Sequence, residues 1–335
     1  MTIPGVLQGG RRRHSGRRRR RRRRVVTAST VLLAAIAVLL ILLTGTTGGG
    51  PTAPRPAQRT TAASGAPRPR HTHPGDPYGV TPAASPVTPR LHGRLRSGLL
   101  FDVRTGRVLW QRSPERILPV ASLTKMMTAL VVARAVRPGT RVLITRQALA
   151  YSGSGVGLLP LHKRVSALSL LYGLLLPSGN DAAIALAVQV AGGQARFVDR
   201  MNARARAMGL GCTRFSSVSG IVDQGNHSCA RDLARRTHAV LGRRLLARIV
   251  ATRDAVLQFP IRGRKLYLFN NNPLLVMRYP GADGVKTGYT VAAGRCLVAT
   301  ARRGRRWLGV VLLHSDDPPG QATALLDAGF RLRRS

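Results

Sequence analysis

Apolar residues are arranged differently in successive parts of the chain. From Val25 to Leu43 there is no charged residue, and VLLAAIAVLLILL is apolar throughout. At about 1.5 Å per residue, such a segment reaches roughly 29 Å, the thickness of a bilayer's hydrocarbon core, which predicts a membrane span over 25–43. From Thr44 to about Arg90 the chain is rich in Pro, Thr, Ala and Gly and shows no periodicity, which predicts an unfolded linker. As a flexible coil this linker would reach on the order of 35 to 40 Å.

A folded domain is expected over 91–335. SGLLFDVRTGRVLWQR alternates on either side of Thr105 and Gly106, which predicts two strands joined by a turn. ASLTKMMTALVVARAV is helical in period and is stopped by Pro138 and Gly139. VSALSLLYGLLL and DAAIALAVQVA predict two further helices flanking a break at Pro177 to Asn180. DGVKTGYT, RCLVATAR and RRWLGVVLLH read as strands, and QATALLDAGFRLR as a closing helix. Strands at both ends with helices between them predict an α+β domain, in which the two termini build one antiparallel sheet and the middle builds a helical lobe.

Charge gives the apolar span a direction. The chain carries a net charge of +42, of which the arginines at 11–13 and 17–24 supply 11. An arginine block abutting an apolar span is an orientation signal, so 1–24 is expected in the cytoplasm and the folded domain outside it. A cleaved signal peptide is the competing reading, and the lack of a clear A-x-A site after Leu43 favours the uncleaved anchor. The remaining positive charge is compatible with an anionic wall polymer or with a coding bias towards arginine. Nucleic acid is not expected as a partner of an exported domain.

Arginine cannot serve as a base, so the four lysines Lys125, Lys163, Lys265 and Lys286 stand out among 54 cationic residues. Three cysteines are too few for a disulfide scaffold and too scattered for zinc, so no metal or cofactor is implied. In an exported domain Cys212 and Cys229 can close a short loop or remain separate thiols, and Cys296 lies in an apolar run and reads as a core thiol.

Three short motifs carry chemistry. Ser122-Leu-Thr-Lys125 puts a hydroxyl at a helix N-terminus and an amine one turn along on the same face, which suits a serine nucleophile with a neutral lysine as base. Lowering a lysine pKa to near 7 requires roughly 4 to 5 kcal/mol, available from burial and a nearby cation, for which Lys286 is the candidate. Ser178-Gly179-Asn180 lies on the break between two helices, where it either caps them or serves a site. In Lys286-Thr287-Gly288, the first two residues offer a cation and a hydroxyl to a terminal carboxylate, and Gly288 lets an extended peptide approach the strand. Gly153 to Gly157 is expected to be a loop near the cleft, and Met126 and Met127 to be core. His227, Asp181 and Asp283 are expected to cap, turn or pack.

Together with PVASLTKMMTAL, LLYGLLLPSGNDAAIALA, RFVDRMNARARAMGL, NHSCARDLA, NNNPLL and DGVKTGYTVAAGRCLVATA, these motifs resemble the D-alanyl-D-alanine carboxypeptidases, the low-molecular-mass penicillin-binding proteins, over about 95–330. The resemblance implies a penicillin-binding-protein/β-lactamase-like fold. It also implies Ser122 as acyl-accepting nucleophile, Lys125 as its base, and Ser178 and Asn180 as proton relay and amide holder. Lys286 and Thr287 would bind the terminal carboxylate, with Gly288 and Tyr289 beside them, and the N–H groups of Ser122 and Tyr289 would form an oxyanion hole. The substrate would be a peptidoglycan stem peptide, and β-lactams would acylate the same serine. Within the fold the alternatives are a D,D-endopeptidase or a β-lactamase, against which the lack of an obvious deacylating glutamate counts. Outside it stands a catalytically silent wall-binding protein. Many relatives anchor through a C-terminal helix; here the span at 25–43 is expected to do so.

Overall fold

The computed structural model describes residues 85–332. The arginine-rich segment 1–24, the span 25–43 and the linker up to residue 84 lie outside the described residues. No described helix is long and apolar enough to cross a membrane.

β1 (Leu95–Asp102) and β2 (Val108–Arg112) form the predicted hairpin, turning at Thr105 and Gly106. β3 (Leu118–Pro119) leads into a 3₁₀ turn at Ala121–Thr124 and directly on into α1 (Lys125–Ala135). The middle of the chain follows as β4 (Arg141–Leu143), α2 (Arg146–Leu149), β5 (Arg164–Ser166), α3 (Ala167–Leu175), α4 (Asn180–Ala191) and α5 (Gln194–Ala207). Then come β6 (His227–Ser228), α6 (Ala230–Leu241), α7 (Arg244–Ala251), β7 (Asp254–Gln258), β8 (Lys265–Phe269) and α8 (Pro273–Val276). β9 (Ala282–Thr290), β10 (Gly294–Arg303), β11 (Arg306–Ser315) and α9 (Pro318–Arg331) complete the domain.

The termini meet as predicted, in an antiparallel five-stranded sheet of order β2-β1-β11-β10-β9. Its centre is apolar on consecutive positions because both faces are covered. In β11, Val311 and Leu313 join the core built with the helices of the middle, whereas Val310 and Leu312 join a second core with Leu325 and Leu326 of α9. Val87, upstream of the expected domain start at 91, is buried in this second core.

α1 and α4 run through the interior. Every residue from Lys125 to Val132 and from Asn180 to Ala187 is buried, as befits helices with apolar residues on all sides. The short pairs β4–β5 and β7–β8 were not predicted. β4 and β5 have three residues each, too few for a period to stand out, and exposed apolar residues in β7 and β8 blur their alternation. β9 is an edge strand of the sheet, and its residues from Lys286 onward lie beside the 3₁₀ turn.

Candidate active site

The turn at Ala121–Thr124 determines how Ser122 meets Lys125. In a 3₁₀ helix residues i and i+3 eclipse, so the two side chains stack. Lys125 Nζ donates to Ser122 Oγ at 2.7 Å and to the Ser219 carbonyl at 3.1 Å. Neither end of the turn has a side-chain cap, so Ser122 is not spent on capping.

Lys125 is fully buried, and its pKa is held well below the ordinary lysine value. Burial is the main cause, the nearby Lys286 lowers it further, and Asp181 opposes both. Lys286 is itself pushed down to about 7 by burial. The cation named from sequence as the influence on Lys125 therefore acts on it, and acts most when protonated.

The expected role of Lys286 in holding a carboxylate meets a different placement. Its side chain is buried, and Nζ donates to the Thr287 carbonyl at 3.0 Å. Thr287, Gly288 and Tyr289 line a cleft of about 500 Å³ shared with Ser122, Ser154, Ser178, Asn271 and Arg295. The strand partner of Tyr289 on that wall is a cation, Arg295, which sequence reasoning passed over because arginine is so common in this chain.

Gly288 also has another reason to be glycine. A Cβ there would stand 2.9 Å from the Val120 carbonyl oxygen and 3.1 Å from Ser122 N. Its bare backbone lets β9 press against the Ser122 turn.

Ser178 follows α3 with φ of 71°, a left-handed conformation, and its buried Oγ has no hydrogen-bond partner. The cap of α4 is Gly179, without a side-chain bond, so capping does not use Ser178. Asn180 Nδ2 donates to the Ser152 carbonyl at 2.5 Å, and its Oδ1 is buried without a partner.

Asp181, expected to cap or pack, has a larger role. It accepts from Val156 N at 2.9 Å and Gly157 N at 3.0 Å, fastening the glycine-rich loop that puts Ser154 in the cleft. Asn271, within NNNPLL, donates to the Pro177 carbonyl at 3.2 Å and ties the same break from the other side. Signals for both were available, since Asp181 is one of only 12 acidic residues and Asn271 lies in a run of three asparagines. Met126, Met127 and Cys296 are buried as expected. His227 bridges to Arg214, and burial pushes the carboxyl of the half-buried Asp283 up in pKa.

Comparison with known proteins adds relatives to this geometry. The family profile described as D-alanyl-D-alanine carboxypeptidase matches residues 85–317. The D-alanyl-D-alanine carboxypeptidase DacF of Bacillus subtilis is 32% identical over 251 residues, covering 72% of this chain and 64% of that protein. The chain thus spans a little under two thirds of this curated relative. A crystal structure of a D-alanyl-D-alanine carboxypeptidase from Mycobacterium tuberculosis superposes with a TM-score of 0.70 at 32% identity, covering 76% of this chain and 98% of that one. Penicillin binding protein 6B from Escherichia coli superposes with a TM-score of 0.67 at 35% identity, covering 74% and 80%.

Proposed function

The chain belongs to the D-alanyl-D-alanine carboxypeptidase family, and on that premise we propose that it removes the terminal D-alanine of peptidoglycan stem peptides through an acyl-enzyme on Ser122. The observation that carries this reading is the 2.7 Å contact between Ser122 Oγ and a buried Lys125 of lowered pKa.

With Lys125 neutral, the contact reverses. The serine O–H donates to the amine lone pair, while an amine N–H still donates to the Ser219 carbonyl. Ser122 Oγ attacks the carbonyl carbon of the penultimate D-alanine as Nζ takes the proton. The oxyanion forms beside the Ser122 and Tyr289 N–H groups, which the close approach of Gly288 to Ser122 N brings to one place.

Collapse of the intermediate breaks the peptide bond, and the leaving amine takes its proton from Lys125 through Ser178, whose partnerless Oγ stands on the cleft wall. Water then attacks the ester carbonyl and hands a proton to Lys125; the bond from the acyl carbon to Ser122 Oγ breaks, the shortened peptide leaves as its carboxylic acid, and Lys125 returns the proton to Ser122 Oγ. Thr287 and Arg295 hold the substrate's terminal carboxylate, and a β-lactam takes the same path as far as the ester.

We place the domain outside the cell membrane, held by the span at 25–43, on the strength of the arginine block before that span. The testing experiment is labelling with a fluorescent penicillin, followed by assay of D-alanine release. Wild type is expected to label and Ser122→Ala is not. A folded wild type that neither labels nor releases D-alanine would leave the silent wall-binding reading in its place.

A further inference from the structure

The residues between Cys212 and Cys229 reach into the active site from several directions, and the two cysteines are bonded to each other. Within this closed loop the Ser219 carbonyl accepts from Lys125 Nζ at 3.1 Å. The Val218 carbonyl accepts from Thr128 Oγ1, one turn further along α1, at 2.6 Å. Asn226 Nδ2 donates to Thr124 Oγ1 at 2.7 Å, between Ser122 and Lys125. Asp223 accepts from Thr290 Oγ1 at 2.6 Å, at the end of the strand that carries Lys286 to Tyr289. Gly220, with φ of 80°, packs against the Ala121 carbonyl so closely that any Cβ would overlap it.

One closed segment therefore touches the nucleophile turn, the base and the edge strand. We infer that the Cys212–Cys229 bond is a positioning tether for the Ser122–Lys125 pair, holding the Ser219 carbonyl where it aims the lysine amine at the serine hydroxyl. The inference rests on the acyl-enzyme reading above.

Direction is what the amine needs from the loop. A neutral amine in contact with two oxygens has to present its lone pair to Ser122 and an N–H elsewhere, and Ser219 supplies that other acceptor. The charged groups acting on Lys125 come from two other elements, Lys286 on β9 and Asp181 on α4. The loop gives the base its aim and its cover from water, and those elements give it its field.

The neck of the loop has independent fastenings. Asp232 accepts from Cys212 N and from Thr213 Oγ1, both at 2.8 Å. Arg236, buried over the Phe215 ring at 5.3 Å, donates to Ser228 Oγ at 3.0 Å. These fastenings are expected to keep the domain folded when the disulfide is removed, whereas the tip is held on the site by single hydrogen bonds.

The test compares the full chain in mild detergent with Cys212→Ser/Cys229→Ser and with Asp223→Ala, which keeps the disulfide and removes one tip contact. Melting curves establish that each is folded. The double variant is expected to acylate with penicillin about tenfold more slowly, as displacements of an ångström or less cost in other sites. Water entering beside Lys125 would raise its pKa, so the acid limb of its pH–rate profile would move to higher pH, an effect that a purely structural bond would not produce. Asp223→Ala is expected to move in the same direction by a smaller factor. Amide exchange over 217–222, which needs no activity, is expected to speed up in the double variant. Rates and pH profile within twofold of wild type would overturn the tether. If wild type itself fails to label, the acyl-enzyme reading falls, and unchanged exchange over 217–222 would sink the tether separately.

Discussion

At the scale of single residues the site turns on two buried lysines that form no ion pair among the described residues. Burying an unpaired ammonium is costly, so both amines are driven towards the neutral form, and each protonation makes the next harder. Burial holds Lys286 down to about 7 and Lys125 well below the ordinary lysine value, and a charged Lys286 lowers Lys125 further, which favours the neutral base. Lys286→Met removes that repulsion, so the acid limb of acylation is expected to move to higher pH. The same variant should melt at a higher temperature at pH 7. A lysine whose folded pKa is depressed opposes folding below its unfolded pKa of about 10.4, and most of that cost is present at pH 7. Melting followed at pH 7 and pH 10 checks the sign, because the advantage of the methionine should shrink at the higher pH. Lys125→Arg, which keeps the charge and cannot give up a proton, is expected to cut penicillin acylation by about 10² to 10⁴-fold, the usual contribution of a general base. A fall of less than tenfold would move the base elsewhere. Both lysines were legible in the sequence because arginine had taken nearly every other cationic position. That Lys286 is buried was not, since burial depends on what packs over β9.

At the scale of elements, the pairing of a 3₁₀ turn with an edge strand is what makes three distant motifs into one site. The sequence showed the helix after Ser122 and the strand through Lys286. It did not show the tight turn before the helix, because the difference between i+3 and i+4 bonding leaves little mark on four residues. It also gave no sign of the loop that takes the Lys125 amine on a main-chain carbonyl, since a carbonyl has no residue type. Gly288 was legible as a close-approach glycine, though the approaching partner is the Ser122 turn rather than a substrate strand alone. Gly288→Ala sets a methyl against the Val120 carbonyl and Ser122 N, and β9 must retreat by a few tenths of an ångström. A loss of about 1 to 3 kcal/mol in stability is expected from such overpacking, with slower acylation because the oxyanion donors move apart. Calorimetry and penicillin labelling of one preparation separate the two effects, and wild-type values in both would show that the turn has room to spare.

At the scale of the whole molecule, the fold was legible because both ends of the chain carry long strands and the middle carries helices apolar all round. What remained hidden were short hairpins such as β7–β8, whose exposed Val256, Tyr267 and Phe269 weaken the contrast between faces. Against this framework stands an unusual charge balance: of the 54 cationic and 12 acidic residues of the chain, 39 and 11 lie in 85–335. The ion pairs formed, such as Arg231–Glu115 at 2.7 Å and Arg303–Asp327 at 3.3 Å, involve partly exposed groups that contribute about 0 to 1 kcal/mol each. Some arginines are accommodated on rings instead, Arg302 over Trp307 at 4.1 Å and Arg112 over Trp110 at 5.7 Å. The rest repel one another more strongly in the folded state, where they are held closer together than in the open chain. Salt shortens the reach of that repulsion, from about 10 Å at 0.1 M ionic strength to about 3 Å at 1 M. The melting temperature of the domain 85–335 is therefore expected to rise by several degrees between low salt and 0.5 M sodium chloride, where a protein of balanced charge would change little. A flat response would mean that the arginines are already neutralised in pairs and stacks, and a rise that is larger with a polyanion than with chloride at equal ionic strength would mean that they gather into a surface able to hold one.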